Sequence, residues 1–463
     1  MSSQRMAIQG ISHGMAVMVL VLGSITMQQA MAQGPSAGEN RGPANYIITF
    51  RAGTSQAQRA AAVRRAGAEL RSNYSIVDAV SAVVPNANVY AALQRDTSIL
   101  EIIPNREVHA FQSAAGRDGE NINAKPGTGG GGGTTTSEVQ PGVKRVIAGG
   151  ADPSATDGAG IGVAIVDTGI DFNHRDLSVY GSPTNNAESF TAHGSSCLDD
   201  QGHGTHVSGI VAAQKNGVDV AGVAPGAKLF CVKVLNAQGS GTDDDVINGL
   251  QWVAVHATSV TPNIRVVNMS LGREGTLGDN GALRGAVDAL YDAGIVVVVS
   301  AGNDSSLEVT DNVPATYPEV FAVASTTAVD GSNAGCRAYT KTIKADTASY
   351  FTTDGAFTGD MGVTISAPGN EKENISKACF INSVGILSLK RGGGTTRMSG
   401  TSMAAPHVAG VVARKIQKEG LSGVENIRTS IRNNADLDGT APIDSPASGY
   451  SYDGEREGIV QAP

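Results

Sequence analysis

Ile161-Gly-Val-Ala-Ile-Val166 runs without a break into Asp167-Thr-Gly169, and Ile295-Val-Val-Val-Val-Ser300 runs into Ala301-Gly-Asn303. Runs so rich in valine and isoleucine lack the polar alternation of a half-exposed strand, so they read as strands covered on both faces. Lys228–Val234, Ile264–Met269 and Val320–Ala324 have the same character. Helical patterns lie between them at 203–213, 243–257, 283–293 and 402–418. Strands alternating with helices imply an α/β fold, with a mostly parallel central sheet flanked by helices. In such sheets the chemistry gathers beyond the carboxyl ends of the strands. Asp167 and Asn303 both stand there.

Working outward, the 463 residues leave room for two or three domains at about 150 residues each. A hydrophobic share of 41% excludes a disordered chain. A net charge of −9 with 4% aromatics argues against a nucleic-acid partner, which calls for a basic surface and stacking rings. Arg5, the apolar run Met15–Met27 and the small residues of Ala30-Met-Ala32 form a secretory leader over residues 1–32. The uninterrupted apolar part, Met15–Leu22, is far shorter than the ~20 residues that cross a bilayer. The expectation is a secreted protein, extracellular or periplasmic, with no membrane anchor after cleavage. Residues 44–111 follow as a small α+β module. Tyr46–Phe50, Ser75–Pro85 and Ile99–Val108 read as strands, and Gln56–Leu70 and Ala87–Gln94 as helices, close to a ferredoxin-like βαββαβ order. The glycine tract in 113–136 lacks the Lys-Ser/Thr of a phosphate-binding loop and reads as a linker.

Three segments of the larger domain carry nucleophilic chemistry. Asp167 ends a buried strand, where an ionised carboxylate can orient an imidazole; taken alone, it could equally close a turn. His203 opens a helix in Gly202-His-Gly-Thr-His-Val207 and suits a general base. His206 lies one turn further on, as a metal pair would, but no third ligand follows at a recognisable spacing. Ser402 falls in the first turn of the helix after Ser399-Gly-Thr401, where free N–H groups favour negative charge on a bound oxygen; a plain N-cap serine would look the same.

Together, Ile165-Val-Asp167-Thr-Gly-Ile-Asp171, Gly202-His203-Gly-Thr-His-Val-Ser-Gly209 and Ser399-Gly-Thr-Ser402-Met-Ala-Ala-Pro-His-Val-Ala-Gly410 resemble the subtilisin-like serine proteases, in that family's order of Asp, His and Ser. The resemblance spans residues 137–463 and implies a subtilisin-like three-layer fold. It casts Asp167 as orienter, His203 as base and then acid, Ser402 as nucleophile and Asn303 as oxyanion donor. It implies that protein and peptide substrates lie as a strand between Gly239-Ser240-Gly241 and Ser270-Leu271-Gly272. Residues 33–112 resemble the family's inhibitory propeptide, with Glu107–Gln112 entering the cleft and cut in cis. A monomeric endopeptidase of broad specificity is expected. Asp304 and Asp243–Asp245 could border subsites, although solvated surface acids are the commoner reading of such residues. With all four catalytic positions present, neither a pseudoprotease nor an adhesive domain fits as well.

The resemblance further implies a structural Ca2+ ion and no cofactor for catalysis. Its ligands would be Asp176, the Asn216 side chain and the carbonyls of Gln214, Val218 and Val220. Ser137–Gln140, where the family supplies another ligand, offers no clear equivalent. His174 reads as a packed structural residue. Four cysteines in a secreted chain allow three pairings or free thiols. Cys336 and Cys379 both fall in stretches longer than the family's usual loops, which favours that pair and leaves Cys197 with Cys231. Residues 1–32 carry +1 and residues 33–136 carry +2, which leaves −12 on the remainder, a balance that suits a basic propeptide docking on an acidic enzyme.

Overall fold

A computed structural model describes residues 43–111, 138–147, 157–339, 341–446 and 455–463. The leader, the glycine linker, Gln112 and Ser137 lie outside the described residues. The N-terminal module consists of β1 (Ala44–Phe50), α1 (Gln56–Ala66), β2 (Glu69–Asn73), β3 (Ala79–Val84), α2 (Ala87–Gln94) and β4 (Ile99–Pro104). Its antiparallel sheet has the order β2-β3-β1-β4. Alternation along β1 assigns its two faces. Tyr46, Ile48 and Phe50 join Val63, Val80 and Leu93 in the module's own core, while Ile47 packs into the core of the larger domain.

Three boundaries differ from the sequence reading. The first helix stops at Ala66 rather than Leu70, because Gly67 takes a left-handed conformation (φ 91°) and its N–H caps the carbonyls of Val63 and Arg64. The stretch Glu69–Asn73 is then free to form a strand ahead of β3. The final strand also breaks at Asn105-Arg106. Residues Glu107–Ala110 form a separate strand, β5, whose partners all belong to the larger domain.

That domain contains α3 (Pro141–Val146), β6 (Gly162–Asp167), β7 (Phe190–Thr191), α4 (His203–Ala212), β8 (Lys228–Lys233), β9 (Ser240–Thr242), α5 (Asp243–His256), β10 (Ile264–Met269) and β11 (Leu271–Glu274). It continues with α6 (Gly281–Asp292), β12 (Val296–Ser300), β13 (Asn312–Val313), β14 (Val320–Thr327), β15 (Val363–Ile375), β16 (Ile381–Leu389), β17 (Thr395–Met398), α7 (Thr401–Glu419) and α8 (Val424–Asn433). Nine strands make one sheet in the order β17-β16-β15-β14-β12-β10-β6-β8-β7. It is parallel from β15 to β7, and β15, β16 and β17 pair antiparallel. The valine runs now have a physical explanation. In β12, Val297 and Val299 face the α5/α6 layer, and Val296 and Val298 face the α4/α7 layer. Every residue of β6 and β12 is buried.

The strands β15 to β17 carry no such signature: β15 is buried from Val363 to Asn370 but includes Thr364, Ser366 and Pro368 there, and β16 and β17, in the sheet's antiparallel margin, are at least partly exposed at most positions. Near the C-terminus, the Ala462 N–H donates to Val146 O, and Ile459 bridges Ser366 and Asp436. Cys197 is joined to Cys231 (S–S 2.02 Å) and Cys336 to Cys379 (S–S 1.99 Å). Among the described residues, no helix is long and apolar enough to cross a membrane.

Candidate active site

Asp167 is the last residue of β6, His203 the first of α4 and Ser402 the second of α7, while Asn303 lies three residues past the end of β12. All four therefore collect beyond the carboxyl edge of the sheet. His203 Nδ1 lies 2.8 and 2.9 Å from the two Asp167 oxygens. A carboxylate can only accept, so Nδ1 carries the proton and Nε2 of the neutral ring is the free base. Asp167 is fully buried, and its Oδ1 also accepts from the Thr168 N–H at 2.7 Å.

Asp199 fixes the start of α4. Its oxygens accept from the N–H groups of Gln201, Gly202 and Thr205 and from the hydroxyls of Thr168 and Thr205. Thr168 Oγ1 in turn accepts from the Gly204 N–H at 2.9 Å. Burial by itself would depress the His203 pKa, yet Asp167, through charge and hydrogen bond, and then Asp199 hold it above the ordinary imidazole value. His206 is different. Its Nε2 points at the carbonyls of Ile386 (3.1 Å) and Thr396 (3.2 Å), and burial lowers its pKa to about 3.

The strand β5 occupies the groove in front of these residues. Val108 and His109 pair with Gly241 and Ser240 on one side, and His109 and Ala110 with Gly272 and Leu271 on the other. The Ala110 N–H donates to Gly239 O at 2.9 Å. The two segments singled out in the sequence thus flank a single strand, β5. Its alternation buries Val108 and Ala110 among apolar side chains and leaves Glu107 and His109 exposed. The ring of Phe111 lies so close to Gly272 that an added Cβ would meet it at 2.7 Å.

The Phe111 carbonyl oxygen accepts from Asn303 Nδ2 at 2.9 Å and lies 3.0 Å from Ser402 Oγ. Asn303 is held amide-outward because its Oδ1 accepts from both the N–H and the hydroxyl of Thr401, each at 2.9 Å. Ser402 Oγ is also 3.1 Å from Ser270 O, so its one proton is directed at carbonyls. The expected Ser402–His203 hydrogen bond is not made, and buried His203 Nε2 has no partner. Such bonds are commonly loose before reaction.

Residues 158–452 match the Subtilase family (Peptidase_S8). This chain is a subtilase. Subtilisin E of Bacillus subtilis (strain 168) is 29% identical over 398 residues, 85% of each chain. Subtilisin DY of Bacillus licheniformis is 36% identical over 280 residues, which are 60% of this chain and 84% of its own. Among solved structures, fervidolysin from Fervidobacterium pennivorans, described as a keratinolytic enzyme related to subtilisin, aligns over 92% of this chain with a TM-score of 0.62 and 23% identity. This chain spans 61% of the length of that structure, a likeness that carries the fold. Family membership makes the protein a serine endopeptidase.

Within this subtilase the acidic residues divide. Asp304 is exposed, as a solvated surface acid would be, its carboxylate accepting from the N–H and hydroxyl of Ser306. Asp243 is fully buried and forked by Arg273 at 3.0 and 2.9 Å, and it also accepts from Asn280 Nδ2. It is therefore no solvated surface acid. Asp244 accepts from the Tyr74 hydroxyl of the N-terminal module, and Asp245 completes the capping box of α5 with Thr242. The Arg273–Asp243 pair ties β11 to the start of α5 immediately after β9, fixing the width of the groove. Sequence reading missed Arg273; the available signal was an arginine directly after Ser270-Leu-Gly272.

The loop after α4 bears on calcium. Asp176 is buried, its Oδ2 accepts from the Val220 N–H at 3.4 Å, and its Oδ1 has no partner. Burial pushes its pKa up to about 6. Glu138 Oε1 accepts from the N–H groups of Asn216 (2.8 Å) and Gly217 (2.9 Å), so the segment that lacked an obvious ligand contributes a carboxylate that shapes the loop. No trio of His, Cys, Asp or Glu gathers as a metal site among the described residues. A calcium loop built from one carboxylate, one amide and backbone carbonyls needs none, and the orphaned Asp176 oxygen fits such an ion. His174 is buried, with its Nε2 3.4 Å from Gly394 O.

Removing one partner of the Arg273–Asp243 pair strands a buried charge. Arg273→Ala should cost about 3–5 kcal/mol in denaturant unfolding on a Ser402→Ala background, whereas Arg273→Met with Asp243→Leu should recover most of that loss. A loss below about 1 kcal/mol for the single variant would mean that water reaches the pair.

Proposed function

We propose that this subtilase is secreted as a zymogen that cuts its own chain between Phe111 and Gln112, after which residues 33–111 remain as an inhibitor of the enzyme they preceded. One observation carries the reading: the Phe111 carbonyl oxygen lies between Asn303 Nδ2 and Ser402 Oγ, at the end of a strand paired on both sides. The propeptide boundary thereby falls one residue before the Gln112 expected from sequence. Secretion is supported by the leader-like residues 1–32 and by two disulfides, which persist in oxidising compartments.

In the proposed mechanism, Ser402 Oγ attacks the carbonyl carbon while His203 Nε2 takes its proton. Asp167 keeps the imidazole in the tautomer that leaves Nε2 free and stabilises the imidazolium that forms. Charge developing on the carbonyl oxygen meets Asn303 Nδ2 and the N-terminal turn of α7. One such side-chain donor is worth about 2.7–4 kcal/mol, a magnitude measured on a subtilisin and borrowed here. His203 then protonates the leaving amine, and water hydrolyses the acyl-enzyme by the same route. Protein substrates would occupy the groove as residues 107–111 do, through main-chain pairing that accepts many sequences. A large apolar residue before the cut bond and an apolar residue three positions earlier, as in Phe111 and Val108, would favour cleavage. A monomer suffices, since one chain supplies every group. Asp176, Asn216 and the carbonyls of Gln214, Val218 and Val220 would hold a calcium ion that cross-links the loop after α4 and plays no part in the chemistry.

N-terminal sequencing of the first processed product should read Gln112-Ser-Ala, and Ser402→Ala should stay uncut; a Ser402→Ala chain cleaved at that bond would refute self-processing. The base must be neutral, so wild-type activity should fall as pH drops through a midpoint above the ordinary imidazole value. Asp199→Asn removes a charge that raises the His203 pKa, and the acid limb of kcat/KM should move to lower pH; an unchanged or higher midpoint would contradict the role of His203. Chelation should lower the Tm of the processed enzyme, consistent with about 2.7 kcal/mol when calcium stands a hundredfold above its Kd, and Asp176→Asn should abolish the difference. Equal melting with and without chelator would dismiss the ion.

A further inference from the structure

We propose that the substrate groove extends beyond its two flanking strands to a sixth subsite, in which Asp279 selects a basic side chain six residues before the cut bond. The inference rests on reading residues 106–111 as a bound substrate. Counting back from Phe111, the sixth residue is Arg106, the second after β4 of the N-terminal module ends at Pro104.

Its main chain is still engaged by the enzyme. The Asp243 N–H donates to Arg106 O at 2.9 Å, one step beyond the last strand pair, Glu107 with Thr242. Asn105 Oδ1 accepts from the Asp244 N–H at 3.0 Å, which holds the next residue against the start of α5. The Asn105 N–H still donates to Asn45 O of the N-terminal module, but the main chain of Arg106 itself, through its carbonyl, is held by the larger domain. From that position Arg106 NH1 reaches Asp279 Oδ2 at 2.9 Å.

Asp279 is suited to the task because the neighbouring charges are already answered. Asp243 is consumed by its fork with Arg273. Asp279 receives a turn N–H from Thr276 at 3.0 Å, and its nearest enzyme cation, Arg273 NH1, stands 3.8 Å away. It directly precedes Asn280, the N-cap of α6, so its backbone is held by a helix whose inner face is buried. Glu101 of the N-terminal module also lies within reach of this charge, its carboxyl raised first by burial and then by Asp279. Once residues 33–111 leave, Asp279 loses both Arg106 and Glu101. A rigidly mounted carboxylate is then left at the far end of the groove, where an extended substrate would deliver its sixth side chain. The pair is partly exposed, 44% for Arg106 and 25% for Asp279, so the preference should be modest and sensitive to salt.

The test uses the processed enzyme freed of residues 33–111 and peptides covering residues 106–115, with Arg, Ala or Glu at the first position. At low ionic strength kcat/KM should fall in the order Arg, Ala, Glu, with Arg over Ala about threefold to fivefold, within the range of an exposed ion pair. The Arg/Ala ratio should collapse towards one in about 0.5 M salt and in Asp279→Asn, for which the Ala peptide serves as the internal control for folding. Equal rates for the Arg and Ala peptides with the wild type would overturn the subsite while leaving the proposed function intact. Failure to cut any of the peptides at the Phe-Gln bond would overturn the reading of residues 106–111, and the subsite with it.

Discussion

The bond between His203 Nδ1 and the buried carboxylate of Asp167 sets the terms for the rest of the molecule. It joins the end of a strand to the start of a helix 36 residues later, and neither partner can reach solvent. An ionised carboxylate in such a place is tolerable only when its oxygens are hydrogen-bonded, which the Thr168 N–H and the imidazole accomplish. The ring is then held in one tautomer, and Asp199 fixes the helix that carries it through five donors. A glycine after His203 is also required, since a Cβ on Gly204 would collide with Gly169 O.

A sheet covered on both faces explains how these contacts can be rigid. Alternate residues of β6 and β12 enter two separate apolar layers, so neither strand can slip by one residue without exchanging its two faces. The ends of those strands are therefore fixed points from which Asp167 and Asn303 project. The groove walls have a different anchor. Strands β9 and β11 are short, and their spacing is held by the buried fork between Arg273 and Asp243. That pair lies next to the main-chain contact that receives Arg106 O, so it orders both the groove and its outer end.

Much of this could be read from the chain. The valine runs, the three motifs and the segments 239–241 and 270–272 led to the elements that hold them, because each is a local pattern with a local physical cause. Apart from the end of α1, which Gly67 sets locally, the readings that failed were those decided by contacts distant in sequence. Ile99–Val108 reads as one strand because its residues all suit a strand, yet the chain changes sheets at Asn105-Arg106. The antiparallel margin formed by β15 to β17 escaped notice because polar residues interrupt the buried half of β15 and partial exposure blurs the pattern of β16 and β17. Asp243 looked like one of three surface acids, and nothing adjacent to it indicates the arginine thirty residues later that buries it.

The sequence by itself determined the fold class, the family and the four side chains of the candidate site, since these follow from hydrophobic period and from short motifs in a fixed order. Tertiary structure alone decided which carbonyl lies against Asn303, where Ser402 directs its proton, and which acids remain free to meet a substrate. Those outcomes depend on distances between residues as far apart as 111 and 402, and on which charges lose access to water when the chain closes. Neither quantity is encoded in any single stretch of the sequence.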